Sequence, residues 1–260
     1  MGWHPFTQYS VMRWGLFSLG LAIYAAWLVA MMPATLVDAG LQRASGGRLR
    51  IAEAQGTLWA GAGQIELLDA HRQNGIAKHF AWRFRPGALL RGNVVYEVEL
   101  DDATKHFPVT ISLLRIELAQ ADLTVPAVAL GLGVPKLAPL GLTGDLRLQV
   151  KSLTLPLAGS GGVRGNATLQ WRRAGSTLTP VSPLGDYELQ LVGEGAMIHA
   201  TLRTLAGPLQ LAGKGSWASA ANPVFVATAH VAPEHQQQLT PLLRLIALDR
   251  GNGNFELQLR

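Results

Sequence analysis

From about Arg48 onward, apolar and polar residues alternate; before that point they do not. Leu49 and Ile51 alternate with Arg48 and Arg50, and Ile65 and Leu67 with Gln64 and Glu66. Phe80, Trp82 and Phe84 alternate with Arg83 and Arg85, and Val94, Tyr96, Val98 and Leu100 with Glu97 and Glu99. Period two marks a strand with one buried face and one wet face. The rhythm continues through Leu146, Leu148 and Val150, set against Arg147, Gln149 and Lys151, and resumes on a shifted phase at Leu153, Leu155 and Leu157. That shift predicts a β-bulge near Ser152. Ala167, Leu169 and Trp171, then Tyr187, Leu189 and Leu191, extend the pattern, with further strands expected over 196–203, 208–213, 224–231 and 255–260. Glycine-rich breaks at 159–162 and 251–254 separate them.

Two segments depart from this. Residues 126–140 carry prolines 126, 135 and 139 and glycines 131 and 133, and read as a loop with one short helical turn. Near the end, Thr240 is suited to an N-cap and Pro241 to the first helical position. Leu239, Leu242, Leu243 and Ile246 then follow the spacing of one helix face. The expected fold is mainly β: a curved, largely antiparallel sheet with one short C-terminal helix. No boundary divides 48–260, and ten or more one-faced strands must hide their apolar side as a sandwich, a partly closed barrel or a folded-over trough.

Ahead of the strands stands a different solvent requirement. Residues 14–32 are nineteen in a row without a charge, followed by Pro33. As a helix this run is roughly 28 Å long, close to the hydrocarbon thickness of a bilayer. Only Ser18 and the Tyr24 hydroxyl interrupt its apolar surface, whereas a core helix usually keeps a polar stripe. Trp14 and Trp27 lie toward its ends, as interface aromatics do. A cleaved signal peptide has a shorter apolar core, roughly 7–15 residues, and a small-x-small exit; the exit here, Val29-Ala30-Met31-Met32-Pro33-Ala34, offers none. The run is read as an uncleaved transmembrane anchor, with 1–13 as a tail and 33–47 as a stalk, helical or irregular, leading to the β-domain 48–260. Arg13 flanks its front and Arg43, Arg48 and Arg50 its back, so a bare count of basic residues opposes export. That rule weakens when a long domain follows.

Composition narrows the function. The 260 residues carry a net charge of +5 and only 15% charged positions. The arginines are scattered and form no stripe, which gives nucleic-acid binding no support and favours a basic surface near an anionic leaflet. With no cysteine, disulfides, thiolate chemistry and Cys-ligated zinc are excluded. Gly213-Lys214-Gly215-Ser216 lacks the spacing of a phosphate loop, and no Gly-x-Ser-x-Gly elbow occurs. Asp101, Asp102 and His106 are the best local metal cluster, but no second motif supplies further ligands. The histidine pairs 71/79 and 230/235 flank turns and read as solvated. Nothing in the sequence invites catalysis or implies a cofactor.

The stretch Ala54-Gln55-Gly56-Thr57-Leu58-Trp59-Ala60-Gly61 resembles the Gly-Thr-Leu-Trp-x-Gly signature of type II secretion system protein N, the general secretion pathway protein N family. Further blocks follow in the family's order: Trp82 with Pro86, Leu89, Leu90, Arg91 and Gly92; Gly144-Asp145-Leu146; Trp171; Leu184-Gly185-Asp186-Tyr187; Gly207-Pro208 through Gly215; and the terminal helix. The chain departs from the pattern at Ala247-Leu248-Asp249, where a glycine is expected to close that helix. The resemblance implies a single-pass inner-membrane accessory component of the type II secretion apparatus. Its tail would lie inside and its domain in the periplasm, with no assigned catalytic residues.

Gly56, Thr57, Leu58, Trp59, Gly61, Trp82, Gly207 and Pro208 are the candidate interaction residues. Gly56 and Gly61 suit a tight turn or a close backbone approach, while Leu58 and Trp59 offer an apolar anchor, with Trp59 expected in the core. The implied partners are other secretion components, in the inner-membrane platform or the outer-membrane secretin, and membrane lipid around 14–32. The alternative from another class is a lipid-binding or lipid-transfer trough, its apolar β-groove holding acyl chains.

Overall fold

The computed structural model describes residues 8–68, 75–101, 106–133, 135–157, 161–219 and 221–259. Helix α1 covers Gln8–Ala30, and its side chains from Phe17 onward are all exposed. The expected span 14–32 falls largely on this helix. Among the described residues, no helix is long and apolar enough to cross a membrane.

Among the described residues, fourteen strands follow: β1 (Leu49–Gly56), β2 (Ala60–Leu68), β3 (Gly75–Arg85), β4 (Val94–Leu100), β5 (Phe107–Ile111), β6 (Arg115–Pro126), β7 (Leu142–Pro156), β8 (Val163–Ser176), β9 (Gly185–Gly195), β10 (Met197–Ala206), β11 (Leu209–Ala218), β12 (Phe225–Val231), β13 (Leu248–Gly251) and β14 (Asn254–Leu259). They form one antiparallel sheet whose order follows the chain as far as β12 and then runs β14, β13. Short connections make this the natural solution, since consecutive strands joined by tight turns pair with each other. Strands β1 and β13 are the two edges, so the sheet is open: neither a sandwich nor a closed barrel.

Register keeps the apolar residues on one face. Phe84 pairs with Tyr96, Tyr96 with Val109, Val109 with Leu118, and Leu118 with Leu153. Farther along, Leu146 pairs with Trp171 and Trp171 with Tyr187. The bulge expected near Ser152 is present: β7 skips one residue against β8 between Val150 and Ser152. Its neighbour β6 changes phase at the same level, where Gln120 adopts φ 55°. Leu118 and Ala121, three apart rather than two, therefore share the apolar face. This phase change hides β6 from a period-two search.

Three apolar clusters lie along that face. Helix α2 (Thr35–Ala44) occupies the stretch expected as a stalk. Rather than standing clear of the sheet, its Val37 and Leu41 pack with Ala34, Ile51 and Trp82 at one end. Asp38 Oδ1 also accepts the edge-strand N–H of Ile51 at 2.7 Å, which satisfies one group of an otherwise unpaired strand edge. The middle cluster joins Val98, Phe107, Ala121 and Val150. At the other end α4 (Gln236–Arg244) buries Leu239, Leu242 and Leu243 against Leu209, Val231 and Phe255.

The segment 126–140 is more ordered than a loop. It folds as α3 (Val128–Gly133) and a 3₁₀ turn over Pro135–Leu140, and α3 reaches back to touch β2. Three strands, β3, β4 and β5, lie between β2 and β6, so the contact requires the sheet to curl. The C-terminal helix starts earlier than its sequence signals suggest. Thr240 and Pro241 lie inside α4, and the Thr240 hydroxyl donates to the Gln236 carbonyl at 2.6 Å, one turn back, instead of capping. Ala247-Leu248-Asp249, lacking the expected glycine, runs directly into β13.

Candidate functional site

The signature residues converge where α1 meets the sheet. Gly56 ends β1 with φ 95°, in the left-handed region, and a β-carbon there would stand 2.5 Å from the Ala60 carbonyl oxygen. Thr57 closes the turn to β2: its N–H donates to the Ala60 carbonyl at 2.8 Å, and its hydroxyl accepts from the N–H groups of Trp59 and Ala60. The same turn grips the chain leaving α1. Ala34 N–H donates to the Gly56 carbonyl at 3.2 Å, Leu58 N–H donates to the Met32 carbonyl at 2.7 Å, and Pro33 bridges Thr57. Trp59 Nε1 donates to the Val29 carbonyl at 2.8 Å, in the last turn of α1, an oxygen that also accepts the Met32 N–H at 3.3 Å.

Trp82 holds the turn from the other side. It is 4% exposed, and its Nε1 donates to both the Thr57 and Leu58 carbonyls at 3.2 Å. Trp59, expected in the core, is only half-buried; its ring packs on Phe84 with centroids 4.8 Å apart, and Phe84 in turn meets Tyr96. Six of the eight candidates therefore form one joint. Gly207 and Pro208 do not join it. They turn β10 into β11 at the opposite rim, where a β-carbon on Gly207 would stand 2.3 Å from Gly185 Cα and Pro208 O accepts from Ala232 N–H.

The polar face carries an ordered network that sequence reasoning left as solvated surface. Arg147 clamps Asp122 through Nε at 2.8 Å and Nη2 at 2.6 Å. Glu188, 6% exposed, accepts from Gln170, Gln190 and both Nε and Nη2 of Arg203. The donated hydrogen bonds, Gln170 foremost for Glu188 and Arg147 for Asp122, hold both carboxyls below the ordinary carboxylate range. On the opposite, apolar face, burial pushes the Tyr187 phenol well above its usual value, which keeps it a donor to the Leu209 carbonyl at 3.0 Å. Both carboxylates thus have their oxygens occupied by donors, and the phenol hydrogen is committed to a carbonyl. Cross-strand register assembles this ladder. The polar residues were visible in the sequence, their partners were not.

The remaining candidates are dispersed. His79 N–H donates to Asp101 Oδ2, His106 lies 3.4 Å from Glu99, and His230 Nδ1 meets Asn254 Oδ1 at 2.9 Å. Asp102 and His71 lie outside the described residues. Among the described residues, no group of three His, Asp or Glu is placed to hold a metal ion.

No curated protein and no solved structure matches the chain. A family model does: type II secretion system protein N matches residues 47–258, from ahead of β1 into the last strand. The match takes in the sheet as far as Gln258, including both the Gly56–Trp82 region and the Gly207–Pro208 turn. The chain belongs to the type II secretion system protein N family, and so to the components of the type II secretion apparatus.

Proposed function

We propose that the protein is a non-catalytic structural and interaction component of the inner membrane. It is anchored once through residues 14–32, with 1–13 in the cytoplasm and the β-domain 48–260 in the periplasm. There it supports export of folded periplasmic proteins across the outer membrane by docking onto other secretion components, in the inner-membrane platform or the secretin. The observation that carries this is the joint. Gly56, Thr57, Leu58 and Trp59 bond the last turn of α1 and the residues that leave it, while Trp82, packed over Gly61, holds their turn to the sheet, as suits a tethered scaffold. The saturated carboxylates of the polar face support the same conclusion. Deleting the gene is expected to leave exported substrates folded and trapped in the periplasm, and photocrosslinkers on the domain to capture other secretion components. Undiminished secretion in the deletion strain would overturn the assignment.

One observation favours the lipid-trough alternative. The open sheet carries an apolar face across nearly all its strands, and in β8–β10 the side chains Leu169, Leu189, Leu191 and Leu202 are half-buried, not sealed. Native mass spectrometry of the purified protein separates the two: acyl lipid bound beyond the annular shell supports a trough, and its consistent absence removes it.

A further inference from the structure

Antiparallel hairpins give the sheet two rims. The turns β1–β2, β3–β4, β5–β6 and β7–β8 lie on one rim in succession, and the first of them is fastened to the end of α1. Beside that point the next turns carry leucines that face outward. Leu90 and Leu113 are each 93% exposed, Leu114 is 71% exposed and Leu89 51%. Leu157 follows at 49%, its N–H donating to the Leu114 carbonyl at 2.9 Å, so these two turns are in contact. With strands about 4.8 Å apart, the β3–β4 turn lies about 10 Å, and the β5–β6 turn at most about 20 Å, from the β1–β2 turn. Exposed leucines gathered along one rim in this way mark a contact surface. The rim also carries a cation: Arg91, exposed between Leu90 and Gly92, has no carboxylate partner among the described residues.

We propose that this rim, through Leu89, Leu90, Leu113, Leu114 and Leu157, lies in the headgroup–acyl boundary of the bilayer that holds α1, with Arg91 on anionic lipid phosphate. The proposal rests on α1 being the membrane anchor. The Leu58–Met32 hydrogen bond fixes the rim at the level where the apolar run ends, so the leucines reach the interface without any further movement of the domain. Leucines inserted at that depth, with a cation at the phosphates, are the chemistry of an interfacial membrane contact. A second contact besides the helix fixes the orientation of the sheet on the membrane.

Because the chain has no cysteine, single labels are unambiguous. The full chain carrying Leu90→Cys, Leu113→Cys, Leu205→Cys or Leu21→Cys is labelled with an environment-sensitive fluorophore. It is then reconstituted in vesicles of phosphatidylethanolamine and phosphatidylglycerol, with or without brominated acyl chains. Labels at 90, 113 and 21 are expected to be quenched about twofold or more by the brominated lipid, and the label at 205, on the opposite rim, to be unaffected. Quenching at 21 but not at 90 or 113 overturns the rim contact while leaving the anchor intact. Absence of quenching at 21 removes the anchor, and the rim contact with it. A blue-shifted label at 90 without bromine quenching means that protein, such as a second copy, covers the rim, and also overturns the proposal.

Discussion

A β-carbon on Gly61 would stand 2.5 Å from Cζ2 of Trp82. The two residues are paired across β2 and β3, so the indole fills the space over a position that has no side chain. That absence lets the Trp82 Nε1 reach the two carbonyls of the signature turn, and the turn in turn holds α1.

Gly61→Ala therefore meets the ring on one side and the Gln55 carbonyl oxygen, also at 2.5 Å, on the other. Overpacking of this kind costs about 1–3 kcal/mol. The detergent-solubilised full chain is expected to lose that much in equilibrium urea unfolding. Gly87→Ala, where a β-carbon meets nothing within 4 Å, is the matched control and is expected to be near neutral.

Trp59→Phe keeps a ring against Phe84 but removes the hydrogen bond to the Val29 carbonyl. Fastening of the helix is expected to weaken while the sheet is unaffected. The amides of Ala34 and Leu58, which cross the joint, should exchange about two- to fivefold faster, the equivalent of about 0.5–1 kcal/mol. Unchanged exchange at both amides would show that the indole N–H contributes nothing to the joint.

Leu243, on the buried face of α4, is 1% exposed. Leu243→Ala removes three buried carbons from a packed site and is expected to cost about 2–5 kcal/mol. Leu245, 66% exposed just beyond the helix, is expected to tolerate alanine to within about 0.5 kcal/mol. Thermal or urea melts of the two variants side by side decide whether α4 is part of the folded core.

Glu188 titrates below the ordinary value of 4.5 when folded, so the unfolded chain binds its proton more tightly. Its contribution to stability is fully present above that value and is lost as pH falls through the lower folded value. Glu188→Gln is expected to flatten the acid side of the stability–pH curve. It does not level it, because Asp122 and Asp249 are also held low, by Arg147 and by the Gly251 N–H respectively. An acid limb identical to that of the parent protein would count against the Glu188 network.

Much of the joint was legible before any fold was known, because Gly56, Gly61 and two tryptophans in a short span are local chemistry. The roles of the two tryptophans were not. Trp82 reads as one member of an alternating strand and Trp59 as a core residue. Only strand register places Trp82 over Gly61 and leaves Trp59 half-buried beneath the end of α1. Helix α4 failed to show its start for a related reason. Thr240 and Pro241 carry a true N-terminal preference, but burial of Leu239 together with Leu242 and Leu243 extends the helix back to Gln236.

By itself the sequence determined the period of each strand, which face of each is greasy, the break of phase near Ser152 and the uncharged run at the front. All of these follow from neighbours within a few residues of one another. The tertiary structure alone decided that the sheet stays open, that α2 lies on it, and that Glu188 meets Arg203 and Gln170. It also brought Leu90 and Leu113 to the rim that holds α1. Each of these depends on which strand pairs with which and in what register, a choice made by the summed burial of many weak contacts and written in no single stretch of the chain.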